Sequence, residues 1–189
     1  MDLNKNFFFK KFKKFGDKKA LIFDSGKYVS YKKLIKNSEF ITKKLIDTKE
    51  LVFLLGENNE ETVTGYISFV NKGYLVYILD YKISSVLLKR LILSYEPSFI
   101  FCSKNRKISS KSYKLINKFK TYKLLRKIKA KDYIIHKDLM LLMSTSGTTG
   151  SSKLVKQTYL NLLSNTENII KYLKISSKDV TITSLPISY

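Results

Sequence analysis

The sequence predicts an α/β protein with a doubly wound, largely parallel sheet flanked by helices. Three apolar runs of strand length, LVFLL (51–55), YLVYILD (74–80) and SFIFC (98–102), alternate with two longer segments of helical pattern. Continuous apolar runs are typical of strands that are covered on both faces, and this alternation indicates parallel βαβ units. With 189 residues, the chain is long enough for one domain and one sizeable core.

The segments before the first of these runs predict a hairpin and a helix. ALIFD (20–24) and KYVS (27–30) flank a Ser25-Gly26 turn signal. Apolar positions of one helix face follow from Tyr31, namely Leu34, Phe40, Ile41 and Leu45.

Residues 1–16 are basic and aromatic, and on a helix Phe8, Phe12 and Phe15 share one face. That stripe favours docking on the rest of the domain. A helix lying on a membrane surface is the alternative.

Two helices are predicted between the apolar runs. NEETVTGYISFVNKG (59–73) has acidic residues in its first turn and Gly73 at its C-terminal end. SSVLLKRLILSYE (84–96) opens with Ser84 or Ser85 as N-cap and stops before Pro97.

The second half of the chain has weaker signals. Residues 103–120 are predicted as a basic surface excursion, with a partner-binding patch as the alternative. TYKLL (121–125) and DYII (132–135) are candidate short strands, and DLMLLMS (138–144) predicts a buried strand. VTITSLP (180–186) predicts the start of a further strand.

An amphipathic helix is predicted over TYLNLLSNTENIIKYLK (158–174). Its apolar side is formed by Leu162, Leu163, Ile169, Ile170 and Leu173.

The net charge of +21 invites a nucleic-acid or membrane-surface function. Only three of the 36 basic residues are arginine, however, and the abundance of Lys, Ile, Phe, Tyr and Asn is typical of an AT-rich genome. Nucleic-acid readers use arginine for bidentate contacts. We therefore expect no nucleic-acid partner. Of the functions considered for this chain, a basic nucleic-acid or membrane-surface binder is the least favoured.

The lone cysteine, Cys102, cannot form an internal disulfide and is expected to be a buried thiol, which suits a cytoplasmic protein. No apolar run approaches the roughly 20 residues of a membrane span, and the start lacks the pattern of a signal peptide. His136, the single histidine, is expected to be structural or superficial. No spacing of ligands predicts a metal site.

The stretch STSGTTGSSK (144–153) follows an apolar strand and precedes an amphipathic helix. Gly147 and Gly150 permit backbone N–H groups to turn toward an anion, the hydroxyl side chains add donors, and Lys153 supplies a charge. The pattern is neither a Walker A loop nor Gly-x-Gly-x-x-Gly. It predicts a phosphate-binding loop beyond the carboxyl end of a strand.

MSTSGTTGSSKLV (143–155) resembles the signature loop of the adenylate-forming, or AMP-binding, superfamily of acyl-CoA synthetases and adenylation domains. The signature reads roughly Thr-Ser-Gly-Thr-Thr-Gly-x-Pro-Lys-Gly-Val. Residues 145–150, Lys153 and Val155 match it, whereas Ser152 replaces the usual proline and Leu154 the usual glycine.

The resemblance extends over residues 17–189 in the order of the family. YVSYKKLIKNSEFITKKL (28–45) is similar to an early helix region, and Asn58, Gly73 and Asp80 occupy expected positions in 51–80. TSLPISY (183–189) is similar to a Leu-Pro motif that places Tyr189 at a His/aromatic position.

The resemblance implies ATP-dependent activation of a carboxylic acid to an acyl-adenylate. Transfer to a thiol, either coenzyme A or a carrier pantetheine, would follow, and Mg²⁺ would arrive with ATP. The phosphates of ATP would be held by Thr145, Ser146, Gly147, Thr148, Thr149, Gly150 and Lys153. Tyr189 would lie near the acyl pocket.

Family motifs that bind adenine and ribose, and a mobile C-terminal domain with its lysine, have no counterpart in the sequence. We therefore expect residues 1–189 to be a single incomplete N-terminal AMP-binding subdomain, inactive alone, with a second chain as the candidate source of the rest. The alternative hypothesis is a catalytically inactive relic or a split subunit that binds a partner.

Overall fold

A computed structural model describes residues 7–46, 48–129, 134–144 and 154–188. Its helices are α1 (Phe7–Phe12), α2 (Tyr31–Thr42), α3 (Glu60–Asn71), α4 (Ser85–Tyr95) and α5 (Tyr159–Leu173). Its strands are β1 (Lys19–Ile22), β2 (Tyr28–Ser30), β3 (Leu51–Gly56), β4 (Leu75–Asp80), β5 (Phe99–Ser103), β6 (Tyr113–Phe119), β7 (Tyr122–Lys127), β8 (Leu139–Ser144) and β9 (Leu154–Thr158).

Seven of these strands form one mixed sheet in the order β6-β7-β5-β3-β4-β8-β9. Its centre, β5-β3-β4-β8, is parallel throughout. Antiparallel pairs complete both edges, with β7 and β6 beside β5 and with β9 beside β8.

The two faces of β3 pack against different helices. Leu51, Phe53 and Leu55 point to the cluster that contains Leu88 of α4. The alternate side chains of β3 belong to the cluster that contains Phe69 and Val70 of α3. All residues of β3 are buried as a result, which is why this strand is a continuous apolar run. The predicted doubly wound α/β fold is confirmed.

Local signals set the helix ends as expected. Asn59 caps α3 and Ser84 caps α4, each accepting a hydrogen bond from a backbone N–H in the first turn. Gly73 has a φ of 86°, which permits the turn after α3. Glu96 ends α4 in the left-handed conformation directly before Pro97.

The N-terminal segment docks on the domain. Phe8 contacts Tyr66 of α3 edge-on, with ring centroids 6.0 Å apart. Phe12 and Phe15 both pack against Tyr31 of α2, with ring centroids 5.1 and 4.8 Å from that of Tyr31. The predicted docking of this aromatic stripe is confirmed, as is the adjacent β1–β2 hairpin.

Several element predictions are corrected by the structure. Phe40 is 51% exposed, so it does not belong to the buried face of α2. Residues 113–119 of the predicted excursion form edge strand β6, which is buried mainly at its two ends and therefore shows no clean alternation. In DYII, Ile134 and Ile135 are not in a strand, and the two residues before them lie outside the described residues.

The predicted strand at 180–186 is also wrong. This segment is irregular, and Ile182 is 92% exposed, because no neighbouring strand pairs with it among the described residues. None of the described helices combines the length with the apolar character that crossing a bilayer requires.

Candidate functional site

The carboxyl ends of three parallel strands meet at one edge of the sheet. Gly56, the last residue of β3, pairs with Asp80, the last residue of β4. Tyr77 of β4 pairs with Leu142 of β8, and β8 ends two residues later at Ser144. Chain segments that leave these strands are therefore neighbours.

The chain leaves the carboxyl ends of the neighbouring strands β3 and β4 toward opposite faces of the sheet. β3 continues into α3 on one face of the sheet, and β4 continues into α4 on the other. Such a reversal opens a crevice at the carboxyl ends of the strands, which is where open α/β sheets bind ligands.

The predicted phosphate-binding residues, Thr145, Ser146, Gly147, Thr148, Thr149, Gly150 and Lys153, lie outside the described residues. The flanking residues are described, and Ser144 pairs with Leu154 in the antiparallel β8–β9 ladder. Directly paired residues in such a ladder have Cα atoms about 5 Å apart. The two ends of the stretch are therefore held together at the carboxyl end of β8.

This pairing corrects the predicted order of strand, loop and helix. β9 stands between the stretch and α5, so the predicted loop connects two strands of a hairpin. The sequence LVKQT carries only a weak strand signal, since its side chains are half-buried or exposed at the sheet edge.

The Leu-Pro segment returns to the end of β3, far from it in sequence. Nδ2 of Asn58 donates a hydrogen bond of 2.8 Å to the carbonyl of Leu185. Oδ1 of Asn58 accepts one of 2.9 Å from the N–H of Ile187. The side chain of Ile187 packs against the α3 side of the core. Tyr189, the predicted acyl-pocket residue, lies outside the described residues.

A chain of polar contacts supports this end of β3. Thr62 Oγ1 accepts a hydrogen bond of 3.2 Å from the N–H of Glu57 and donates one of 3.4 Å to the Tyr122 hydroxyl. Burial raises the pKa of Tyr122, so its hydroxyl stays neutral and available to donate to Glu57. Thr62, Glu57 and Tyr122 could not be predicted from the sequence, because no local pattern links β7 to the start of α3.

Two buried carboxylates at the start of α3 have structural partners. Glu60 pairs with Lys120 and accepts a hydrogen bond from Asn37. Glu61 accepts hydrogen bonds from the backbone N–H and the hydroxyl of Thr121. These contacts hold the β6–β7 turn against α3, and within the described ranges no group of three metal-ligating side chains is present.

Two further predictions concern Cys102 and His136. Cys102 is 1% exposed, and burial raises the pKa of its thiol to about 11, which confirms a buried, unreactive cysteine. His136 lies at the surface, where Nδ1 accepts a hydrogen bond of 3.3 Å from the N–H of Asp138. This placement fits the superficial position expected for His136.

Comparison with known proteins gives one family. The family model described as AMP-binding enzyme matches residues 8–189. A search of curated proteins found no match.

Solved structures share the fold over nearly the whole chain. Apo MatB from Rhodopseudomonas palustris superposes with a TM-score of 0.72 at 20% identity, covering 98% of this chain and 41% of MatB. ATP-bound MatB gives 0.72 at 19% identity, covering 100% and 41%. O-succinylbenzoate coenzyme A synthetase (MenE) from Bacillus subtilis, in complex with AMP, gives 0.71 at 20% identity, covering 95% and 49%. The chain therefore spans less than half the length of these structures.

Proposed function

The chain belongs to the AMP-binding enzyme family, and from this membership we propose that it takes part in the ATP-dependent activation of a carboxylic acid. The product would be an acyl-adenylate, which passes its acyl group to coenzyme A or a carrier pantetheine. One observation carries the proposal. The family-like stretch 145–153 has its ends joined by the β8–β9 ladder at the sheet edge where open α/β folds bind ligands.

In this proposal, residues 145–150 and Lys153 bind the β- and γ-phosphates of ATP. A carboxylate oxygen of the substrate would attack the α-phosphorus, and the bond to the departing pyrophosphate would break. Backbone N–H groups freed by Gly147 and Gly150, together with the Lys153 ammonium, would stabilise the charge on that leaving group. The protein would act by positioning and charge, with no covalent intermediate on a side chain.

The acid would lie near Tyr189. Support comes from Ile187, two residues earlier, which Asn58 holds at the end of β3. We assign no side chain to Mg²⁺, since the described residues bring no group of three metal-ligating side chains together, and the ion would enter as the ATP complex.

Calorimetric titration with MgATP and with inorganic pyrophosphate tests the phosphate-binding role. We expect Lys153→Met to weaken both affinities roughly tenfold or more, the usual effect of losing a charge-assisted hydrogen bond. Lys44→Ala is the control, because Lys44 is exposed and lies two residues before Ile46, whose carbonyl accepts a hydrogen bond from Tyr74 at the amino end of β4. Equal affinities for wild type and Lys153→Met, or equal losses in both variants, would contradict the proposal.

We also propose that the chain alone does not complete adenylation. The span of the matches supports this, since the matched part makes up only 41% of MatB and 49% of MenE. Carboxylate-dependent exchange of labelled pyrophosphate into ATP measures the point directly. The purified chain is expected to show no exchange above background with a panel of acids, and exchange with any of them would overturn this part.

A second candidate function, a partner-binding subunit, is favoured by α5. Only Tyr159 of this helix is buried, and three apolar side chains that share one face are exposed, namely Ile169, Ile170 and Leu173. We propose that this face binds a polypeptide that supplies the rest of the matched fold.

Co-expression with the polypeptide encoded directly downstream tests this binding. The wild-type chain is expected to co-purify with it, and the Ile169→Glu/Ile170→Glu variant is not. Lys171→Ala on the same helix is the control. Failure of the wild-type chain to retain that polypeptide would contradict the partner-binding function.

A further inference from the structure

We infer that Asn58 is a positioning residue that fixes the Leu185–Ile187 segment at the carboxyl end of β3, and with it the chain that leads to the proposed acid site. The tether itself is seen in the contacts of described residues. Its consequence for the acid site rests on the proposed function.

The Asn58 amide uses both of its ends. The Nδ2 donor reaches the Leu185 carbonyl at 2.8 Å, and the Oδ1 acceptor receives the Ile187 N–H at 2.9 Å. This pair of bonds needs a donor and an acceptor on the same planar group, which the side-chain amide of asparagine supplies. An aspartate keeps the acceptor and loses the donor, and an alanine loses both.

The segment has little else to hold it. Val180, Ile182 and Leu185 are largely exposed, and the bonds of Ser176 and Asp179 are local to their own turn. Among the described residues, the hydrogen bonds that join 176–188 to the rest of the molecule go to Asn58. Their loss should therefore release this segment without unfolding the sheet.

An apolar contact supports the polar one. Ile187 packs on the α3 side of the core, and it approaches Gly56, where an added Cβ would lie 3.3 Å from Ile187 Cγ2. The absence of a side chain at Gly56 thus leaves room for Ile187. Asn58 orients the backbone on either side of Pro186, while Ile187 anchors it.

The tether is located at the crevice between β3 and β4. Asn58 follows the end of β3, Asp80 ends β4, and Ser144 ends β8 before the proposed phosphate loop. Asn58 therefore joins the Leu185–Ile187 segment to the end of the sheet where Ser144 and Leu154 flank the proposed phosphate loop. Since the acid and ATP must meet in line for attack, a shift of this segment would misplace the acid and leave the phosphates bound.

Amide hydrogen exchange, read by NMR, tests the tether on the whole chain. In Asn58→Ala we expect the Ile187 amide to exchange at least tenfold faster, while the amides of β3 keep their protection. In Asn58→Asp the Ile187 amide should stay protected, because the acceptor remains. Asn168→Ala, a change at an exposed position of α5, is the control and should alter neither.

Unchanged protection of Ile187 in Asn58→Ala, or an equal loss of protection throughout β3, would overturn the inference. Binding of inorganic pyrophosphate separates it from the proposed function. Asn58→Ala should bind pyrophosphate as wild type does, and a tenfold loss would overturn the positioning role. If wild type fails to bind pyrophosphate while Ile187 responds as expected, the tether stands and the proposed function fails.

Discussion

At the scale of single residues, Gly56 shows how closely the end of β3 is packed. A Cβ at this position would lie 2.4 Å from Thr62 Cγ2, and Thr62 is fully buried. Gly56→Ala should therefore lower the free energy of unfolding by about 1–3 kcal/mol, the usual cost of overpacking. Urea denaturation at neutral pH measures the change.

A second substitution identifies the clash as the cause. Thr62→Ser removes Cγ2 and keeps the hydroxyl that bonds Glu57 and Tyr122. Adding it should restore part of the stability lost in Gly56→Ala, so the double-mutant cycle has a favourable coupling energy. Additive effects would show that the clash with Thr62 is not what destabilises the variant.

Cys102 makes stability depend on alkaline pH. Burial raises the pKa of its thiol from 9.0 to about 11, so between these values the unfolded chain releases a proton that the folded chain keeps. Its contribution to the free energy of unfolding is intact below pH 9 and falls above it, by at most about 1.4 kcal/mol per pH unit.

Urea denaturation of wild type and Cys102→Ala at pH 8, 9 and 10 measures that slope. The variant should lose less stability per pH unit, although partly buried Tyr66, with a pKa raised to about 12, adds to the decline of both at higher pH. Identical slopes would contradict the burial argument, as would prompt reaction of wild type with a thiol reagent at pH 8.

The residues of the candidate site differ in how far sequence could predict them. Residues 145–150 and Lys153 were predicted from composition and resemblance, because glycine, hydroxyl and lysine side chains suit phosphate locally. Asn58 was recognised only as a family position. Its bonds to Leu185 and Ile187 could not be predicted, since no local pattern connects residues so distant in sequence.

At the scale of elements, α5 depends on its cap. Thr158 Oγ1 accepts a hydrogen bond from the N–H of Asn161, and the Asn161 side chain accepts one from the N–H of Thr158. Because little of α5 is buried, Thr158→Ala should destabilise the helix by about 1 kcal/mol and speed exchange of its amides. Thr166→Ala, in the interior of the same helix, should leave exchange unchanged or slower, since alanine favours helices. The reverse ranking would contradict the role of the cap.

Docking of α1 predicts a defined result with membranes. Phe9 is buried, and its N–H donates a hydrogen bond to Asn71 Oδ1. Phe9→Ala should lower the free energy of unfolding by about 3 kcal/mol and loosen α1, whereas Lys10→Ala, at an exposed position, should change it little.

Intact protein should remain in the supernatant when neutral phosphatidylcholine vesicles are sedimented. Sedimentation of wild type would show that the aromatic stripe faces lipid instead.

Elements were predictable where burial is complete. β3, β4 and β5 are continuous apolar runs because helices cover both of their faces. β6 and β9 were missed because edge strands are only partly buried, so their sequences lack a clean period. The segment 180–186 was wrongly assigned because four consecutive β-branched residues, with apolar Val180 and Ile182 at alternate positions, resemble a strand even without a partner strand.

At the scale of the whole molecule, the features that support the functional proposal lie together at the carboxyl ends of the parallel strands. The strand order places the ends of β3, β4 and β8 side by side, with the direction of winding reversing between β3 and β4. The Asn58 tether and the ends of the 145–153 stretch both lie at this edge. The basic segment 104–111 is the main competing site for an anion, because its lysines attract phosphate without any specific geometry.

Titration of isotope-labelled protein with MgATP at physiological salt, followed residue by residue in amide NMR spectra, distinguishes these two sites. Saturable shifts are expected for Ser144, Leu154 and residues between them, with smaller shifts at Glu57 and Asn58, and none of these in Lys153→Met. Shifts confined to 104–111, or no saturable shift at all, would contradict the central claim that this chain presents a nucleotide phosphate site at the carboxyl edge of its sheet.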